Sequence, residues 1–304
     1  MKLISFVTLV CCFSVIFEAN GQREYPPHIH GAKEFTYKTV GEIKLNLWIL
    51  NPENHKLTVN APAIVFFFGG GFNHGSPAQF VKHCEYLSTR GMVAIVADYR
   101  VRSRHDITLI DCVSDAKSAI RWVRENASEL GVDSSRIAAG GASSGGFLAA
   151  ACATLPKFDE ESENKYISSK PSALVLFNPG MLGPFDYSKD LTNEENNERE
   201  KKLGTKPVNL RPYHNMVGNQ PSTIIFHGTG DKVVSFKTVE LFTKRMHEFG
   251  NKCRLIGYEG EPHRFFNYGN KTNALFIDTV HKMDEFLVSL GYLVGPPETV
   301  IFTN

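Results

Sequence analysis

The chain has 304 residues and a formal net charge of +1, from 33 Lys plus Arg against 32 Asp plus Glu. That length fits one large domain with a substantial buried core. The balanced charge, with no basic stripe carrying interleaved aromatics, excludes the usual signature of a nucleic-acid partner.

The chain opens on Met1-Lys2-Leu3, an apolar run from Ile4 to Phe17, and the small-residue end Ala19-Asn20-Gly21. This order describes a secretory signal peptide over residues 1–21, cleaved after Gly21, with export to the periplasm or outside the cell. The apolar run is short for a membrane span, which needs about 20 residues, so no stable membrane association is expected. Four cysteines remain beyond the leader: Cys84, Cys112, Cys152 and Cys253. None has metal-ligand spacing. An exported protein can form disulfides, and Cys84 with Cys112 is one possible pair, but free buried thiols fit equally well.

The remaining residues, 22–304, read as one α/β domain. Residues 35–40 and 43–50 alternate apolar and polar around Gly41 and predict a hairpin. Ala63 to Phe68 is a continuous apolar run, as expected of a strand buried on both faces, and it leads into Gly69-Gly70-Gly71-Phe72. A helix is predicted over 78–90 and a second buried strand over 92–97. Residues 109–130 carry helical spacing, with Ile110, Val113, Ala116, Ile120 and Val123 on one face and Gly131 as the stop.

Residues 137–150 form a short apolar strand, a crowded turn of small residues and an Ala-rich helix. The turn reads Gly141-Ala142-Ser143-Ser144-Gly145, a G-x-S-x-G pattern. With a strand before and a helix after, this is the form of a nucleophile elbow, in which a serine sits on a strained strand-to-helix turn. A plain glycine turn or a phosphate loop would also be rich in small residues, but a phosphate loop ends in Gly-Lys-Ser/Thr and no Lys is present here.

Further buried strands are predicted over 172–177, 222–226 and 254–258, with helices over 236–249 and 272–290. Residues 181–220 are polar and charged, and fit either a solvated surface helix or a cap beside the active site. Buried strands alternating with amphipathic helices predict a mostly parallel, doubly wound sheet covered on both faces.

A serine hydroxyl needs a base, and the base needs an acid that fixes its tautomer. In a doubly wound sheet such groups gather at the C-terminal ends of strands. Asp231 and His263 each follow a strand there, and the order Ser143, Asp231, His263 is that of α/β hydrolases. Asp231 could instead be a turn or capping residue. His263 is preferred over His74, His105 and His227 because it follows the last strand, whereas His227 reads as a structural hydrogen-bonding residue. The oxyanion hole is assigned to the Gly70, Gly71 and Ser144 N–H groups, where glycine lets backbone approach the substrate.

Phe68-Gly69-Gly70-Gly71-Phe72 resembles the His-Gly-Gly-Gly motif of hormone-sensitive-lipase-like esterases, and Gly141 to Gly146 resembles their elbow. Asp98-Tyr99-Arg100, the 133–137 segment, His227 to Asp231 and His263 to Phe266 recur in that wider group. The 66–72 run with Ser76-Pro77-Ala78-Gln79-Phe80 is similar to secreted acetyl-esterase-like hydrolases of polysaccharide breakdown, including acetylxylan-esterase-like members. The resemblance covers about residues 35–292. It implies the α/β-hydrolase fold and a serine esterase that needs no metal or organic cofactor. The implied substrate is a small-molecule or carbohydrate ester with a short acyl group such as acetyl. A prolyl-oligopeptidase-type peptidase and a non-catalytic binding protein on the same fold are the alternatives. Two positions depart from the pattern: Phe68 stands in place of the usual His, and Arg264 in place of a common Gly.

Overall fold

The computed structural model describes residues 25–184, 191–270 and 272–299. The leader over 1–21 and residues 185–190 of the polar stretch lie outside the described residues. In chain order the elements are β1 (Lys33–Val40), β2 (Ile43–Leu50), β3 (Ala61–Phe67), α1 (Val81–Thr89), β4 (Val93–Ala97), α2 (Leu109–Glu125), α3 (Ala127–Leu130), β5 (Val132–Ala142), α4 (Ser144–Thr154), β6 (Ala173–Phe177), α5 (Asn193–Leu203), β7 (Ser222–Gly228), α6 (Phe236–Glu248), β8 (Cys253–Tyr258) and α7 (Ala274–Ser289).

The eight strands form one sheet in the order β1-β2-β4-β3-β5-β6-β7-β8. The β1–β2 hairpin turns at Gly41, and β2 runs antiparallel to β4. Every pairing from β4 onward is parallel. This is the α/β-hydrolase fold.

The continuous apolar strands follow from burial on both sides. Along β3, Ala63, Val65 and Phe67 enter one core while Ile64 and Phe66 enter the other, because successive side chains point to opposite faces. Helices α2, α4 and α6 cover the first face through residues such as Val113, Phe147 and Phe242. Helices α1 and α7 cover the second through Leu87, Val280 and Met283. Among the described residues no helix is long and apolar enough to cross a membrane.

Two expectations change. The helix expected over 109–130 is broken at Asn126, whose side-chain amide donates to the Trp122 carbonyl at 2.8 Å. Asn at such a position competes with the helical ladder for its own backbone. Gly131, with φ 64°, then ends α3 in the left-handed conformation that glycine adopts without strain. The possible Cys84–Cys112 bridge does not form. Cys84 packs in the core under α1 and Cys112 in the core under α2, on opposite faces of the sheet, and all four described cysteines are free thiols.

Candidate active site

Ser143 sits between β5 and α4 with φ 52° and ψ −116°, a left-handed backbone that a non-glycine residue adopts only under constraint. The constraint is visible on every side. The Ser143 N–H donates to the Phe177 carbonyl at 3.0 Å, and its own carbonyl accepts the Gly180 N–H at 2.9 Å and the Phe147 N–H at 3.1 Å. The flanking glycines are required by close approach rather than by unusual dihedrals. A Cβ on Gly145 would lie 2.1 Å from the Phe67 carbonyl oxygen, and one on Gly141 would lie 2.4 Å from that of Gly145. The turn therefore presses directly on the end of β3, which carries the glycine loop.

That loop is held at three points. The Gly69 N–H donates to Gln79 Oε1 at 2.7 Å, the Gly71 N–H donates to Ser144 Oγ at 3.1 Å, and the Phe68 carbonyl accepts the Tyr99 hydroxyl at 2.8 Å. Phe68 is fully buried and stacks on the Tyr99 ring with centroids 4.2 Å apart. An aromatic stack thus anchors the loop at the position where the resembling esterases carry a His. Gly70 has φ 145°, and a Cβ there would lie 1.9 Å from the His74 carbonyl oxygen. The oxyanion set predicted from sequence is split by this geometry. The Gly71 N–H is occupied by Ser144 Oγ, whereas the N–H groups of Gly70 and Ser144 have no protein acceptor among the described residues. Ser144 is the first residue of α4, where an N–H lacks an intrahelical partner and the helix dipole favours negative charge.

Asp231 and His263 follow β7 and β8, neighbouring parallel strands, and so reach the same end of the sheet as Ser143. The Asp231 carboxylate is surrounded by donors. Oδ1 accepts the Val233 and Val234 N–H groups at 2.8 and 2.9 Å. Oδ2 lies 2.6 Å from His263 Nδ1 and accepts the Asn178 side-chain N–H at 3.1 Å. Burial alone would push this carboxyl up, but the Val234, His263 and Val233 hydrogen bonds outweigh it and hold its pKa below the usual carboxylate range. His263 Nδ1 is therefore the protonated nitrogen, and Nε2 is left as an acceptor.

His227 is buried beneath this turn. Its Nε2 lies 2.9 Å from the Val234 carbonyl oxygen and 3.2 Å from Asp231 Oδ2. Burial lowers its pKa, so it stays neutral and braces the Asp231 turn, the structural role expected from sequence.

Ser143 and His263 line one cavity of about 590 Å³, together with Gly69, Gly70, Gly71, Gln79, Arg264 and Asn267. Its residues come from the β3, β5, β7 and β8 ends of the sheet. No described residue of 181–220 lines it. Instead α5 borders a separate cleft of about 770 Å³ with the 102–111 segment, lined by both basic and acidic side chains.

Sequence reasoning missed three contributors: Gln79, Asn178 and Asn267. Gln79 Nε2 donates to Asn267 Oδ1 at 3.0 Å, so one side chain ties the glycine loop to the segment carrying His263. Asn178 directly follows β6, and its place at the C-terminal end of a strand between β5 and β7 was the available signal. Gln79 stands in the 76–80 run that carried the resemblance, but its pairing with Asn267 was not legible, since it spans 188 positions.

Comparison with known proteins agrees with this architecture. The profile of the BD-FAE family matches residues 47–246. Esterase LipC of Mycobacterium tuberculosis is 28% identical over 250 residues, covering 74% of this chain and 60% of LipC. This chain thus spans less than two thirds of the length of that relative. A thermophilic esterase, Est2 of Thermogutta terrifontis, solved with propionate bound, is 46% identical, covers 90% of this chain and 99% of its own, and superposes with a TM-score of 0.85. The same esterase phosphorylated by paraoxon is 46% identical with the same coverage and a TM-score of 0.82. With more than half of its length matched by that profile and its sheet shared with a solved esterase, the chain belongs to the BD-FAE family of α/β hydrolases.

Proposed function

We propose that this chain is a serine carboxylic-ester hydrolase that works through Ser143, His263 and Asp231. The observation that carries the reading is the 2.6 Å contact of His263 Nδ1 with Asp231 Oδ2, made by a His that shares a cavity with the elbow serine. His263 Nε2 takes the Ser143 hydroxyl proton as Oγ attacks the ester carbonyl carbon. The oxyanion is held by the N–H groups of Gly70 and Ser144, while Gly71, whose N–H already binds Ser144 Oγ, braces the loop. Collapse of the tetrahedral intermediate breaks the carbon–oxygen bond, and His263 returns the proton to the leaving alcohol. Water, deprotonated by the same nitrogen, then releases the acyl group.

The acyl group in this reading is short, acetyl to butyryl, and the alcohol is a carbohydrate or another small hydroxyl compound. Propionate and butyrate bound to the Thermogutta esterase support the first part. The resemblance to secreted acetyl esterases supports the second. Export follows from the Met1–Gly21 leader.

The test is hydrolysis of p-nitrophenyl acetate, butyrate and octanoate by wild type and Ser143→Ala. Acetate turnover that vanishes in the variant, with a steep fall at octanoate, is expected, and acetyl release from acetylated xylan would follow. A folded wild type that cleaves none of the esters overturns the reading.

A further inference from the structure

Among the described residues, the lining of the Ser143 cavity contains no Asp or Glu, yet it includes Lys82, Arg264 and His74. The Asp231 carboxylate is buried and bonded to His263 rather than part of the lining. Lys82 pairs with Glu85 at 2.8 Å, but Glu85 does not reach the lining. Arg264 is exposed, and its guanidinium has no hydrogen-bond or ion-pair partner among the described residues. In this it differs from Arg90, Arg100, Arg121 and Arg136, each of which faces a carboxylate.

Arg264 is also held in an unfavourable backbone state, with φ 70°. A left-handed conformation brings the Cβ of an L-residue too close to its own backbone, so it is strained for any residue but glycine. The turn keeps it there, because the Arg264 carbonyl accepts the Asn267 N–H at 3.1 Å and the Asn270 side-chain amide at 2.7 Å. Asn267 is in turn fixed by Gln79. The result is a cation without a partner among the described residues, on a fixed turn, one residue beyond the candidate base.

We propose that Arg264, together with Lys82 of the same lining, forms an anion subsite for the alcohol part of the ester, so that the preferred substrate is an acylated alcohol carrying a carboxylate, as in an acylated uronic sugar or hydroxy acid. The inference rests on the esterase reading. His263 protonates the leaving oxygen, so whatever is attached to that oxygen passes the next residue, Arg264. A guanidinium offers a planar fork of donors that fits a carboxylate, and a cleft lined by one sign of charge draws in the opposite sign.

Three matched acetate esters test this: 3-acetoxybenzoate, 3-acetoxybenzamide and 3-acetoxyphenyl-trimethylammonium. Each kcat/KM is divided by the ester's own alkaline hydrolysis rate. The wild type should favour the anion over the neutral amide by about tenfold at low salt, with the cation poorest. That ratio should shrink in 0.5 M salt, where the screening length is only a few ångströms. Arg264→Gln should bring the ratio towards one, and Arg264→Lys should retain part of it. Because anionic and neutral esters are compared on the same sample, loss of folded enzyme in a variant cancels. A wild-type ratio at or below one, or an unchanged ratio in Arg264→Gln, overturns the subsite and leaves the esterase reading standing. No turnover of any of the three overturns both.

Discussion

Gln79 joins the two loops on which the chemistry depends: its Oε1 accepts the Gly69 N–H at 2.7 Å and its Nε2 donates to Asn267 Oδ1 at 3.0 Å. A primary amide accepts and donates at once over this reach, whereas an ionised Glu only accepts and Met has no donor, so neither replaces it.

Gln79→Ala should therefore leave the fold intact and lower kcat while changing KM little, because the glycine loop loses its placement. Losing a well-placed oxyanion donor costs roughly 10²–10³ in kcat, and a misplaced one should cost less, about 10–10². Steady-state kinetics on p-nitrophenyl acetate gives the split. A variant with unchanged kcat would show that Gly69 is placed without Gln79.

Asp231→Asn should reduce kcat by about 10⁴, since an amide no longer holds the His263 tautomer that leaves Nε2 free. The same substitution has a signature in stability. The folded Asp231 carboxyl sits below its unfolded value, so it stabilises the fold above the unfolded pKa and that contribution is lost as pH falls through the folded one. Chemical denaturation between pH 3 and 6 should thus show a shallower acid decline in Asp231→Asn than in wild type. Equal slopes in the two proteins would remove Asp231 as the cause.

His83 adds to the acid decline by a different route. It is fully buried on α1 among Phe66, Phe80, Phe177, Phe266 and Phe276, and neither ring nitrogen has a hydrogen-bond partner among the described residues. Burial pushes its pKa down to about 3. The unfolded chain takes up this proton near pH 6.5 and the folded chain does not, so stability falls as pH drops from 6.5 towards 3, by about 1.4 kcal/mol per pH unit. His83→Leu, of similar volume, should flatten that decline and add about 1–3 kcal/mol at pH 7 by removing unpaired polar atoms. Denaturant midpoints at pH 7 and pH 4.5 give both quantities, and a destabilised variant at both would show that the ring shape outweighs its polarity.

Much of this protein is written in short stretches of sequence. The strand positions follow from continuous apolar runs such as 63–68, because a strand buried on both faces has no polar side. The elbow follows from Gly141 and Gly145, because a Cβ at either would strike backbone. The chain order of Ser143, Asp231 and His263 was legible for the same local reason, since each follows a recognisable strand.

Tertiary structure alone decided the rest. Which nitrogen of His263 carries its proton depends on an Asp231 brought from 32 positions away. The separation of Cys84 from Cys112 depends on which face of the sheet α1 and α2 cover. The capture of the Gly71 N–H by Ser144 Oγ, the Gln79–Asn267 tie and an Arg264 guanidinium without a partner among the described residues are pairings, or missing pairings, between segments far apart in the chain. Periodicity and composition report whether a residue is buried and in what element. They do not report its partner, because hydrogen bonds and charges are satisfied in space, at a few ångströms, after the sheet has chosen its strand order.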